Sequence, residues 1–142
     1  MRVMVMTKGD AADEGRGEPT TEMFEKMQAF NEQLVNAGIL LGGEGLKPSN
    51  AGAKVAFSSS GVSVFDGPFT ESKEVIAGYW IWEVSSLAEA VEWAKRCPFD
   101  SSYGDSQVLE IRPLFDMEDF AETVDAETLA RSEELQSRAT GG

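Results

Sequence analysis

The stretch IAGYWIWEV, residues 76–84, carries Tyr79, Trp80, Ile81 and Trp82 in succession and predicts a β-strand that is apolar on both faces. An antiparallel strand with one solvated face alternates polar and apolar side chains instead. We therefore expect this strand to lie at the centre of a sheet, with both of its faces covered.

A second strand of the same kind is predicted at residues 2–6, RVMVM, where Val3 and Val5 face one way and Met4 and Met6 the other. The polar, glycine-rich residues 8–19 are predicted to form a flexible loop. A helix capped by Thr20 or Thr21 should follow and end before Gly38. Apolar residues recur along this helix at spacings of three and four, which predicts one buried stripe of Met23, Met27, Phe30 and Leu34.

Three further strands or hairpins and a second helix are predicted after the first helix. Residues 39–46 predict a strand kinked or bulged at its glycines, and residues 54–58 and 62–65 predict a hairpin. Ser86 and Glu89 form the signature of a capping box for a second helix, which stops before Pro98, and residues 107–113 predict the last strand. This second helix should bury Leu87, Ala90, Val91 and Ala94.

The order predicts an α+β fold, a ferredoxin-like βαββαβ domain with an antiparallel sheet and a hairpin inserted before the third strand. The first and third strands are central in that topology, in agreement with their two apolar faces. Both helices pack on one side of the sheet. We expect the same face of a second subunit to cover the other side, so that the protein is a homodimer.

The chain divides into a domain at residues 1–115 and an acidic tail at 116–142. Eight acidic and two basic residues occur in 116–138. We expect a peripheral, partly helical tail that frays at the terminal ATGG and is able to contact a protein partner.

Composition excludes several classes of function. The formal charge of −13 argues against binding to nucleic acid or to anionic membranes. We expect a cytoplasmic protein, because no signal peptide or membrane span is evident. The chain has one cysteine and no histidine, which argues against a metal site and a histidine-based triad. We expect no bound cofactor.

Several segments resemble one known family in the same order. The segments are NAGILLGGEGLKPS at 36–49, DGPFTESKE at 66–74, GYWIWEV at 78–84, WAKRCP at 93–98 and VLEIRPLF at 108–115. Together they resemble the DGPF branch of the YCII-related domain family over residues 1–116. The resemblance implies a dimeric α+β barrel, in which two ferredoxin-like sheets pack face to face. Relatives include a dehydrochlorinase, and a histidine–aspartate pair is discussed for the family, but this chain has no histidine.

The turn DGP at residues 66–68 has two interpretations. Asp66, Gly67 and Pro68 suit a turn with no further role. Alternatively, the turn places Asp66, Lys73 and Glu74 at the mouth of a pocket between sheet and helices. Burial against Phe69 and Trp80 would then favour proton abstraction by Asp66, and Lys73 would stabilise an oxyanion.

Four further residues are candidates for a site. Glu44, among glycines on the second predicted strand, could meet a ligand close to the backbone, although a bulge explains the same residues. Tyr79 and Trp82 could stack on a planar ligand or serve in packing. Arg112, beside Glu110 on the last predicted strand, could hold a carboxylate or form an ion pair at an interface or on the surface.

Two functions therefore remain open. One is a cofactor-independent acid/base enzyme of the isomerase, lyase or dehalogenase type that acts on a small molecule. The other is a non-catalytic module that binds a small molecule or a protein. The family resemblance implies a link of such modules to extracytoplasmic-function sigma factors.

Overall fold

The computed structural model describes residues 1–14, 19–69, 74–100, 103–104 and 106–141. The strands are β1 (Arg2–Gly9), β2 (Leu40–Gly45), β3 (Ala53–Ser58), β4 (Gly61–Asp66), β5 (Val75–Glu83) and β6 (Val108–Pro113). The helices are α1 (Thr21–Asn36), α2 (Leu87–Ala94) and α3 (Ala126–Gly141). Short 3-10 turns occur at Ala11–Asp13, Ser49–Ala51 and Met117–Phe120.

The main sheet has four strands in the order β2-β5-β1-β6, and every neighbouring pair is antiparallel. The two strands that are apolar on both faces, β1 and β5, are the central ones, as predicted. A separate hairpin of β3 and β4 is inserted between β2 and β5. This arrangement is a mixed α+β fold consistent with the predicted ferredoxin-like topology.

One face of the sheet carries the core. Val3 and Val5 of β1 are fully buried there, next to Trp82 of β5. Helix α1 contributes Phe30 and Leu34, and the ring of Phe30 meets that of Trp80 edge-on at 5.9 Å. Both α1 and α2 therefore cover the same side of the sheet and leave the other side open.

The caps of α1 follow the sequence prediction. The hydroxyl oxygen of Thr20 accepts a hydrogen bond from the Met23 amide at 3.1 Å. Gly38 has a φ of +74°, a left-handed conformation that glycine adopts without strain. The chain can thus leave the helix sharply and enter β2, which is bulged between Leu40 and Gly42.

The buried side of α2 differs from the prediction. Ala90 is buried and Ala94 is partly buried, but Leu87 and Val91 are 47% and 38% exposed. Trp93 and Cys97 pack against the core in their place, so the buried stripe is shifted toward the C-terminal end of the helix. Ser86 caps the helix as predicted and accepts a hydrogen bond from the Glu89 amide at 3.1 Å.

Two predicted boundaries are wrong. Strand β1 continues to Gly9 instead of giving way to a loop at Lys8, because Lys8 and Gly9 pair with Ile76 and Val75 of β5. The tail is helical through Gly141, where fraying was expected from residue 139. No described residue of α3 is buried, in agreement with a peripheral tail.

Candidate functional site

The side of the sheet that faces away from the helices forms the open face. Met4 and Met6 of β1 and Tyr79 and Ile81 of β5 lie on this face and are half-buried. The strand register places Glu44, Tyr79, Met6 and Glu110 in one row across the four strands. The centre of the open face is apolar, and both ends of the row are acidic.

A group of four charged side chains lies at the β6 side of this face. The Lys8 Nζ lies 2.8 Å from Glu74 Oε2 and 3.0 Å from Glu110 Oε1. Arg112 Nη1 lies 3.5 Å from Glu110 Oε2. Hydrogen bonding to Glu74, and then to Glu110, raises the pKa of Lys8, and hydrogen bonding to Lys8 lowers the pKa of Glu110. Lys8 and Glu110 are thereby held in their charged forms near neutral pH, which suits electrostatic binding better than proton transfer.

A groove of about 500 Å³ lies where the hairpin meets the main sheet. Its apolar walls include Leu46, Pro48, Phe69 and Ile76. The charged residues at the groove are Lys47, Lys54 and Glu74, and the Nζ of Lys54 lies 4.3 Å from the centre of the Phe69 ring. The volume falls within the range of small-molecule sites.

Ser49 ties the turn at residues 67–69 to the wall of this groove. Its hydroxyl donates to Glu14 Oε2 at 2.5 Å and accepts from the Phe69 amide at 3.0 Å. The Ser49 amide donates to Glu14 Oε1 at 2.9 Å. The Gly67 amide donates to the Gly52 carbonyl at 2.9 Å, and the Gly67–Pro68 peptide bond is cis. These contacts give the GPF segment a structural role in holding Phe69 at the groove.

The structure separates the residues predicted around the DGP turn. Asp66 ends β4 and is exposed, so the expected burial against Phe69 and Trp80 is wrong. Trp80 instead belongs to the core, where its Nε1 donates to Asn31 Oδ1 at 2.9 Å. Lys73 lies outside the described residues.

The groove does not lie between the sheet and the helices, where the pocket was expected. The groove lies at the base of the hairpin, and Glu74 is the predicted site residue that lines it. The inserted hairpin creates this wall, which periodicity along the strands does not indicate.

Tyr79 and Trp82 lie on opposite faces of β5 and cannot stack on the same ligand. Trp82 is fully buried in the core, where its ring centroid is 5.8 Å from that of Trp80. Trp82 is therefore not accessible as a ligand contact, because a ligand would have to open the core to reach it. Tyr79 lies on the open face, next to Glu44 in the strand register.

Glu44 and Arg112 lie on the two edge strands of the open face. Glu44 is on β2, and Arg112 is on β6, opposite Met4. Three strand spacings separate β2 from β6, which corresponds to about 14 Å. The two residues therefore do not form one compact site. Arg112 forms an ion pair with Glu110, and a surface ion pair was one of its predicted roles.

Several residues at the groove and on the open face were not singled out by sequence reasoning. Glu14 and Lys8 fall in the segment predicted as a loop, Ser49 ends the segment 36–49 that carries the family resemblance, and Lys54 begins a predicted hairpin strand, but no site role was predicted for any of them. Their roles depend on contacts between residues 15 to 102 positions apart. No local pattern in the chain carries a signal for such contacts.

The described residues contain neither a membrane-spanning helix nor a group of metal-binding side chains. No described helix is long and apolar enough to cross a membrane. Within the same residues, no three acidic or cysteine side chains come together as ligands for a metal ion. Burial raises the pKa of Cys97 to about 12, so its thiol stays protonated near neutral pH.

The fold and the open face define a class, that of small α+β proteins whose helices cover one side of an antiparallel sheet. A sequence model of the YCII-related domain family matches residues 1–118, and the chain belongs to this family. An uncharacterised protein of Rhizobium meliloti (strain 1021) is 32% identical over 101 residues, which cover 68% of this chain and 77% of that protein.

Proposed function

We propose that this YCII-related protein is a homodimer that binds a small anionic molecule with a flat apolar part in the groove at the base of the hairpin. The observation that carries the proposal is the groove itself. It combines a volume of about 500 Å³, the half-buried ring of Phe69 and two lysines, Lys47 and Lys54.

The charge of the groove favours an anion. The chain carries a net charge of −13, yet two of the three charged residues at the groove are lysines. The third, Glu74, is paired with Lys8 at 2.8 Å. A ligand carboxylate or phenolate would therefore meet a local excess of positive charge, while an aromatic ring could pack beside Phe69.

The probe 3-phenylpropionate tests the binding proposal, because it combines a carboxylate with a flat apolar ring. Titration followed by NMR should show saturable shifts at residues of the groove. Lys54→Met keeps the apolar stem and removes the charge, and we expect it to weaken binding about tenfold. Lys26→Met, on the exposed side of α1, is the matched control and should bind as the wild type does.

Two results would contradict the proposal. One is equal affinity of the wild type and Lys54→Met for 3-phenylpropionate. The other is equal affinity of the wild type for the neutral amide of the probe, because the lysines would then make no contribution.

The acid/base enzyme is a second candidate, and the position of Glu74 favours it. The Glu74 carboxylate lines the groove, within reach of a bound molecule, and Lys8 holds it in place. A carboxylate at this position could take a proton from a carbon next to a carbonyl group. Asp66 is a weaker candidate in this scheme because it is exposed and does not line the groove.

Deuterium exchange into phenylpyruvate in D₂O distinguishes an enzyme from a protein that only binds this probe. An enzyme would speed deuterium exchange at the methylene carbon of the probe above the buffer rate, and Glu74→Gln should remove this acceleration without changing the fold. A protein that binds phenylpyruvate and leaves the exchange rate at the buffer value is a binding module toward this probe. Acceleration that survives in Glu74→Gln would rule out Glu74 as the base.

The homodimer is supported by the open face. Its central side chains are apolar, and no described helix covers them. Burial of apolar surface is worth about 25 cal/mol per Å², so covering this face with a second copy would stabilise the protein. The resemblance to families of dimeric α+β barrels supports the same arrangement.

A further inference from the structure

The β3–β4 hairpin is exposed along its whole length. All twelve of its residues are exposed, although five of them are valine or phenylalanine. An isolated two-stranded hairpin is only marginally stable in water and needs a surface to pack against. The base of the hairpin lies next to the main sheet at the groove.

One face of the hairpin is apolar. The register pairs Val55 with Val64 and Phe57 with Val62, so these four side chains lie on the same face. Their exposed fractions are 53%, 66%, 78% and 62%, respectively. We call this surface the hairpin face. The opposite side of the hairpin carries Lys54, Ser63 and Phe65.

We propose that the hairpin face docks on a second copy of this chain and extends the dimer interface that begins at the open sheet face. This inference rests on the proposed dimer and adds an element to it. The exposed area of the hairpin face supports a second copy as the partner. The four side chains expose on the order of 400 Å². A stable interface needs about 800 Å² from each partner. The hairpin face would supply roughly half of that area.

The charge distribution favours a second copy as the occupant. The four side chains of the hairpin face are uncharged, and the ionisable residue on the same side, Asp66, lies at the base of the hairpin opposite Ala53, whereas the chain as a whole carries a charge of −13. Contact through uncharged surfaces keeps the acidic side chains of two such chains apart and so limits their repulsion. The hairpin face and the apolar centre of the open face are both neutral surfaces of this kind. An anionic membrane is disfavoured because the net charge of the protein has the same sign.

Phe57→Asp tests the proposal, with Phe65→Asp as the matched control. Both phenylalanines lie on the hairpin and are exposed in the single chain, by 78% and 55%, but they point to opposite sides. Sedimentation velocity over a range of concentrations gives the dimer dissociation constant. We expect Phe57→Asp to raise this constant at least tenfold and Phe65→Asp to change it less than threefold. Circular dichroism should show that both variants are folded.

Three results would overturn the proposal. The first is a wild-type protein that stays monomeric at 100 μM, which would remove the proposed dimer as well. The second is a Phe57→Asp variant that dimerises as tightly as the wild type, which would leave the contact between sheet faces intact and exclude the hairpin from it. The third is equal weakening by Phe57→Asp and Phe65→Asp, because the effect would then come from the hairpin as a whole and not from one face.

Discussion

Gly67 lies where a side chain has no room. A Cβ atom built there would lie 1.6 Å from the carbonyl oxygen of Ser49 and 2.6 Å from its carbonyl carbon. The neighbouring atoms are backbone and cannot move aside as a flexible side chain would. Residues 49 and 50 approach position 67 so closely that only glycine fits there. The Ser49 hydroxyl also accepts a hydrogen bond from the Phe69 amide, which fixes the chain just after this glycine.

Gly67→Ala should destabilise the protein for this reason. We expect the free energy of unfolding to fall by about 2–3 kcal/mol, as for other overpacked sites. Gly45→Ala is the matched control, because an added Cβ there meets no atom within 4 Å. It should change stability by less than about 1 kcal/mol. Urea unfolding measures both, and equal stability of the two variants would show that the 67–69 turn adjusts freely.

Glu110 provides a prediction on pH. Hydrogen bonding to Lys8 lowers the pKa of Glu110 from its ordinary value of 4.5. A carboxyl group whose pKa falls on folding stabilises the fold above its unfolded pKa, and this contribution is lost as the pH falls through the folded pKa. The Tm of Glu110→Gln should therefore fall less than that of the wild type between about pH 5 and pH 3.

Thermal melts at half-unit pH steps measure this difference. Glu25→Gln, which alters an exposed carboxylate on α1, is the control and should follow the wild-type curve. Parallel curves for Glu110→Gln and the wild type would mean that the contact with Lys8 does not persist in solution.

At the scale of the element, the hairpin and α3 are the two peripheral units, and they differ in character. The hairpin has an uncharged apolar face, whereas α3 has no buried residue and carries mostly charged and polar side chains. The segment between β6 and α3 has its own small contact, in which the rings of Phe115 and Phe120 lie 4.8 Å apart. Helix α3 therefore does not contribute to the core, and its contact with a protein partner stays a prediction.

Removing residues 125–142 should leave the fold intact. The deletion takes away α3 together with Asp125, whose carboxylate accepts from the Thr128 amide at 2.8 Å and caps the helix. Because no described residue of α3 is buried, we expect the Tm to change by only a few degrees. Calorimetry of the full and shortened chains provides the test, and an insoluble shortened chain would show that α3 belongs to the core or the dimer.

At the scale of the whole molecule, the central question is what covers the open face. Met4, Met6, Tyr79 and Ile81 are only half-buried there, whereas the opposite face holds fully buried Val3, Val5 and Trp82. The same two strands, β1 and β5, supply both surfaces. Both apolar sides of the sheet are buried when a second copy packs on the side that the helices leave free.

Light scattering should therefore give a mass of twice the 15.4 kDa chain at micromolar concentration. Ile81→Lys places a charge at the centre of the open face and should shift the protein toward the monomer. Leu87→Lys adds the same charge at an exposed position on α2 and should leave the dimer unchanged. A monomeric wild type, or an Ile81→Lys variant that remains fully dimeric, would exclude this interface.

The sequence by itself determined the order of the elements and the strands at the centre of the sheet. These features depend on local spacing, as in the alternation of Val3 and Met4, the stripe ending at Leu34 and the cap at Thr20. It also indicated that the hairpin precedes β5. Each of these signals lies within a few neighbouring residues, where side-chain periodicity is directly visible.

Only the tertiary structure decided which side chains meet. It separated Trp82 from Tyr79, left Asp66 exposed and brought Lys8 to Glu74 and Glu110. It also formed the groove at the hairpin base, where Ser49 contacts Glu14 and Phe69, which lie 35 and 20 positions away along the chain. Such contacts depend on strand order, on bulges and on the placement of the inserted hairpin, because a shift of one residue sends a side chain to the opposite face.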